Sequence, residues 1–236
     1  MLEMYESVFA HRAYIGRSGS MYAYEGIGSI YWHMVTKLLL AVQEALADAV
    51  RRGDADVEVE RIRKAYWRVH AGLGVNTSAE EFGAIPIDPY SHSPAHAGAQ
   101  QPGMTGAVKE EILTRRRELG IAVADGQVEF DALLVRPQEL LDAPTDWVVT
   151  GVTGQPVRIE LPARSIGSTL CQVPVVITVG EGDPHLDVDY ADGRTERLDG
   201  RRLGGSGSAA IFGRTGDVTQ VLVTLGAADV LRWEQT

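Results

Sequence analysis

The sequence predicts an α+β protein: a helical N-terminal half, residues 1–120, followed by an antiparallel, β-sandwich-like domain, residues 121–236. Three observations carry this. Apolar residues recur three and four apart up to Gly120 and alternate from Ile121 onward, so the chain changes from helical to strand periodicity there. The pairs Asp125-Gly126 and Asp192-Gly193 punctuate the alternating part, as hairpin turns do. Within the helical half, a polar loop, 83–106, holds the stretch Ile85–Gly106, too rich in Pro and Gly for a buried helix or central strand.

Taken in order, Leu2, Tyr5, Val8 and Phe9 share a face of a short first helix over Met1–Ala13. From Ser29 to Arg52 a second helix carries Ile30, Met34, Leu38, Val42, Leu46 and Val50 as one stripe, wide enough to predict burial. A third, Val57–Ala71, turns Val59, Ile62, Tyr66 and Val69 inward, and its short connection to the preceding helix predicts an antiparallel helical hairpin. Ser78 to Glu81 has the spacing of a capping box. After the loop, Thr105–Leu119 forms another helix with Val108, Ile112 and Leu119 as its apolar side, Arg115–Arg117 as solvated surface and Gly120 as terminator.

The β domain opens with the hairpin IAVADGQVEFD. A short helix at PQELLD follows, then strands at DWVVTGV, QPVRIELP, STLCQVPVVITV, HLDVDYADGRTERLD and VTQVLVTLG. GGSGSAA, Gly204 to Ala210, reads as a flexible surface loop.

Composition bounds the function classes. The 236 residues are 44% apolar and 23% charged, enough for a core without staples, and the net charge of -10 argues against a nucleic-acid surface. One cysteine, Cys171, excludes a disulfide framework, and its apolar neighbours predict an inert thiol in a buried strand. The apolar run Lys37–Val50 is broken by Gln43, Glu44 and Asp48, so no membrane span is expected, and with no recognisable leader the expected location is cytoplasmic.

The chemistry concentrates in two stretches. The loop carries Asp88, Tyr90, His92, His96, Gln100 and Gln101, a density of ring and amide groups that an ordinary linker lacks. Ahead of the long helix stand Arg17, Tyr22, Tyr24, Glu25, Tyr31, Trp32 and His33. Glu25, among aromatic residues, is a candidate general acid or else a helix cap; Asp88 is a candidate second carboxylate or else a turn starter before Pro89. Tyr24, Trp32, His33, Arg17, Tyr90, His92, His96, Gln100 and Gln101 are candidate contacts for a polyhydroxylated ligand, which needs flat apolar faces and directional donors and acceptors. His92 and His96 have a metal-motif interval, but Pro94 keeps them off one helical face, so no metal is expected. GIGS at Gly26–Ser29 follows no strand and lacks a third glycine, and there is no nucleophile elbow, so no cofactor is expected.

The strings SGSMYAYEGIGSIYWHMVTKLLLAVQE and DPYSHSPAHAGAQQPGMTGAVKEEIL resemble the C-terminal part of large bacterial carbohydrate-active enzymes, built on a helical toroid with a β-sandwich tail. The resemblance implies that the helices before Gly120 are the last hairpins of such a toroid and that the ligand is a carbohydrate. A complete toroid needs more helices than this chain has room for, so the chain is expected to be a C-terminal piece or a subunit. An uncovered apolar helical face predicts a partner chain or a homo-oligomer. The function expected is a component of a glycoside hydrolase or phosphorylase. The alternative is a noncatalytic sugar-binding or assembly subunit, and a metal-dependent hydrolase using His92 and His96 is a third.

Overall fold

In a computed structural model the described residues are 3–4, 32–73 and 108–226, with backbone alone for 32–34 and 108. They form α1 (Trp32–Arg52), α2 (Asp56–Gly72), α3 (Val108–Glu118), β1 (Ile121–Ala124), β2 (Gln127–Phe130), β3 (Thr145–Thr150), β4 (Pro156–Leu161), β5 (Ser165–Leu170), β6 (Val173–Gly180), β7 (His185–Tyr190), β8 (Thr195–Asp199), α4 (Gly205–Gly213) and β9 (Val218–Gly226). The class is α+β. Two compact units divide the chain, Met1–Thr114 and Arg115–Thr236, with the division inside α3.

In the first unit α1 ends where Arg51 and Arg52 complement the helix dipole and Gly53 takes a positive φ of 73°. Its buried face follows the predicted stripe only in part: Leu46 is buried and Val42 half-buried. Thr36, Leu39, Gln43, Leu46, Ala47 and Ala49 are buried, whereas Leu38 is 52% and Val50 42% exposed. The reason is geometric: a row of i+4 steps advances about 40° per step around the helix, so it leaves the buried face within a few turns. Burial follows steps of three and four instead.

On α2, Tyr66 is fully buried and Val59, Ile62 and Val69 half-buried. Gln43 spans the helices, donating from Nε2 to the Tyr66 hydroxyl at 3.5 Å and to the Thr114 carbonyl at 3.1 Å. α3 inverts the predicted pattern: Ile112 is 62% exposed, while Glu110 and Thr114 are buried. The Thr114 hydroxyl bonds back to the Glu110 carbonyl at 3.0 Å, a local bond that lets a polar side chain turn inward.

The second unit is built on a five-stranded sheet of order β5-β6-β9-β7-β8. β6 and β9 run parallel, and all other pairings in it are antiparallel, which corrects the all-antiparallel expectation. Alternation of side chains tells which face is buried and is silent on neighbour direction, so the sequence could not show this crossover. On one face Val175, Ile177, Leu186, Val188, Val221 and Val223 pack with Val128, Phe130 and Ile211 in the main core. On the other, Val176 packs with Ile159 and Leu161 of the β3–β4 hairpin. β6 is therefore apolar on both faces, which explains the uninterrupted run VPVVITV.

Within that unit two of the three α3 arginines, Arg115 and Arg117, are tied down by ion pairs. Arg115 Nη2 reaches Glu139 at 2.6 Å and Arg117 reaches Asp131 at 2.8 Å. Burial raises the Glu139 carboxyl, but hydrogen bonds from Arg115 and Arg136 more than offset it and hold the group below the usual range. Burial pushes Asp131 up against the pull of Arg117.

STLCQVPVVITV is two strands, not one. Cys171 and Gln172 both have positive φ, 51° and 68°, and make the two-residue turn between β5 and β6, so the half-buried thiol sits in a turn. Two-residue hairpins with positive φ at both positions favour Asn-Gly, and neither residue here announces that turn. The double change Cys171→Asn, Gln172→Gly is expected to stabilise the unit by about 1 kcal/mol through relief of two left-handed side-chain conformations, net of the exposed Arg214–Gln172 contact. An unchanged or lower denaturation midpoint would contradict this reading of the turn.

Candidate functional site

The residues singled out from the sequence fall almost wholly outside the described part. Arg17, Tyr24, Glu25, Asp88, Tyr90, His92, His96, Gln100 and Gln101 lie outside the described residues, as do the Ser78–Glu81 cap and the loop 83–106. Trp32 and His33 are backbone positions in the first turn of α1.

One carboxylate that the sequence reading passed over stands out beside them in the chain. Glu110, in the first turn of α3 and four residues after Gly106, is 3% exposed. Its Oε2 is buried without a hydrogen-bond partner, and its Oε1 lies 3.5 Å from the ammonium of Lys109. A buried carboxylate oxygen left unpaired is costly, and such groups concentrate at working sites. The signal in the sequence was masked because Glu110 and Glu111 read as ordinary acids favoured at a helix N-terminus.

The second unit holds a cavity of about 680 Å³ between the β7–β8 turn, the first turns of α4 and Asp217. Its walls follow from local chemistry. The turn after β7 is a three-residue loop, Ala191 to Gly193, in which the Gly193 amide donates to the Tyr190 carbonyl at 3.0 Å and Gly193 takes a φ of 84°. Asp192 Oδ1 accepts the Arg194 amide at 3.0 Å and holds the turn open to the cavity. The Arg194 guanidinium lies over the Tyr190 ring, 3.8 Å from its centroid.

Two donors then converge on one oxygen. The Tyr190 hydroxyl donates to Glu196 Oε2 at 2.7 Å and Arg194 Nη1 donates to the same atom at 3.0 Å. These bonds, Tyr190 first and Arg194 second, hold the Glu196 carboxyl below its ordinary range. Burial and the bond to Glu196 push the Tyr190 phenol up. Across the cavity, Asp217 Oδ2 accepts from the Thr215 hydroxyl at 2.8 Å.

The far wall is α4, where the sequence predicted a flexible loop. Ser208 is fully buried; its Oγ accepts the Val128 amide at 3.0 Å and donates to the Leu203 carbonyl at 2.9 Å. No side chain caps the helix at Gly204, so the amides of its first turn have no partner within the helix.

The chain matches no protein-family model and no curated protein.

Among the described residues, no group of three or more His, Cys, Asp or Glu is placed to hold a metal ion, and no helix is long and apolar enough to cross a membrane.

Proposed function

We propose that this chain is a C-terminal piece or a subunit of a glycoside-processing enzyme, a hydrolase or phosphorylase, contributing to a sugar-binding active site. The residues assigned to it are Glu25 as acid, Asp88 as second carboxylate, and Arg17, Tyr24, Trp32, His33, Tyr90, His92, His96, Gln100 and Gln101 as ligand contacts. In this reading the helices are hairpins of a toroid and the β unit is its sandwich tail. The structural observation that supports it is Glu110: a buried carboxylate with an unbonded oxygen, where the chain leaves the polar loop. A buried, unpaired carboxylate next to that loop in the chain is the kind of group found at working sites rather than in passive packing. The order of elements supports it too, with α1, α2 and α3 before Gly120 and a strand-rich unit, interrupted by α4, after it.

The experiment is turnover of glucosides, with and without phosphate, by the chain alone and with candidate partner chains. Glu25→Gln is expected to lower turnover by about 100-fold or more, the scale of general acid catalysis. Undiminished turnover would remove Glu25 from that role. Glu110→Gln, an isosteric change, is expected to raise KM more than it lowers kcat.

A noncatalytic sugar-binding or assembly subunit is the second reading. It is favoured by exposed apolar side chains on either side of the short α1–α2 connection, Val50 at 42% and Val57 at 69%, which a partner chain or a second copy would cover. Saccharide binding with no turnover in any assembly would select it.

A further inference from the structure

The cavity beside α4 belongs to neither group of residues used above, and its chemistry is specific enough to name a ligand class. Three carboxylates, Asp192, Glu196 and Asp217, face one guanidinium, Arg194, so an anion such as phosphate is repelled. Arg194 bonds to Glu196, while Asp192 and Asp217 keep a net negative charge, so a small cation competes for the same atoms. The glycoside reading selects a neutral group rich in hydroxyls, which the open atoms also fit.

The open hydrogen-bonding atoms fit that description. Both bonds to Glu196 fall on Oε2, which leaves Oε1 as an acceptor, and Asp217 is engaged through Oδ2, which leaves Oδ1. Arg194 bonds to Glu196 through Nη1 and leaves Nη2 as a donor. The uncapped first turn of α4 adds amide donors, and Ser206 adds a hydroxyl that both donates and accepts. Ala210 gives a small apolar wall on which carbon-bound hydrogens rest.

These groups are also preorganised. The Tyr190–Arg194 stack and the shared bond to Glu196 Oε2 bias the carboxylate toward the orientation a ligand would meet, which lowers the side-chain freedom lost on binding. The depression, about 680 Å³, is open to solvent and most of its lining residues are exposed, so it suits the end of a glycan rather than an enclosed ligand.

We infer that the cavity between the β7–β8 turn and the first turns of α4 is a saccharide-binding site, taking the end of a neutral glycan through Glu196 Oε1, Asp217 Oδ1, Arg194 Nη2 and the α4 amides. Its ligand class rests on the glycoside reading, while its location rests on the cavity. It would serve as an anchoring site for the glycan.

The test uses the full chain labelled with ¹⁵N, titrated with maltose and cellobiose, with putrescine and inorganic phosphate as charged controls. Shifts of the Arg194, Ser206 and Gly207 amides on adding a disaccharide are expected, and Glu196→Gln and Asp217→Asn each weaken that binding by about tenfold. Both changes are isosteric and sit at the surface, and unchanged amide signals in β6 and β9 confirm that the fold is intact. Disaccharide binding that leaves these amides unmoved and survives both substitutions overturns the cavity assignment while sparing the glycoside reading. Shifts caused by putrescine or phosphate alone overturn the ligand class. Absence of any disaccharide binding up to about 10 mM overturns this site, a weaker affinity than useful recognition needs; glucoside turnover measured separately then decides the glycoside reading.

Discussion

Gly120→Val is expected to destabilise the β-rich unit by about 2–5 kcal/mol, the sum of a left-handed conformation forced on a β-branched residue and overpacking of a filled site. Gly120 has a φ of 81° and closes α3 before β1. A Cβ there would stand 2.8 Å from Ile177 Cδ1 and 2.9 Å from the Asp131 carbonyl oxygen. The Gly120 carbonyl also accepts the Asp131 amide at 3.0 Å, so the backbone cannot simply move aside. Gly126, with a φ of 73° and nothing within 4 Å of its would-be Cβ, is the control: Gly126→Ala meets only the conformational cost, about 1 kcal/mol. Amide exchange of Ile177 and Val221, buried strand positions that open with the whole unit, reads both. Equal protection in the two variants would show that close packing at Gly120 is not what makes glycine necessary.

Ser208→Val should cost about 2–4 kcal/mol, for two reasons that add. It leaves the Val128 amide and the Leu203 carbonyl without their shared hydroxyl, and it places a second methyl in a site that is already closed. Ser208→Ala separates the terms, since it removes the hydroxyl without adding volume and is expected to cost about 1–3 kcal/mol. Exchange protection at Val128 should fall first, because that amide loses its acceptor. Stability within a few tenths of a kcal/mol of the parent in Ser208→Val would mean that α4 is not held to β2 through this residue.

The same serine shows where reading the sequence stopped. GGSGSAA has the composition of a flexible loop, and glycine does disfavour helix locally. Tertiary packing reverses the preference: the bare Gly207 admits the Leu203 side chain, to which a Cβ would approach within 2.9 Å, and Ile211 is buried in the main core. Cys171 was legible as apolar surroundings but not as a turn, because nothing in Cys-Gln signals two positive φ values. The arginines after Thr114 read as solvent-facing by position alone, yet Glu139 and Asp131, distant in sequence, fold back to meet two of them.

The candidate sites divide the same way. The stretches holding Glu25 and Asp88 announced themselves by unusual composition. Glu110 was hidden among helix-terminal acids until its burial was known. Arg194, Glu196 and Asp217 sit in strands and turns with no motif, and only the return of β9 beside β7 places Asp217 across from them.

By itself the amino-acid order determined the α+β class and, among the described residues, the three helices before Gly120 and most of the strands after it, because periodicity is a local property written into every few residues. Strand direction, the β6–β9 crossover, the folding of Gly204–Gly213 and the convergence of charges around the cavity were decided by the tertiary structure. They depend on which distant segments share a hydrogen-bond ladder or a core, and no window of neighbouring residues contains that information.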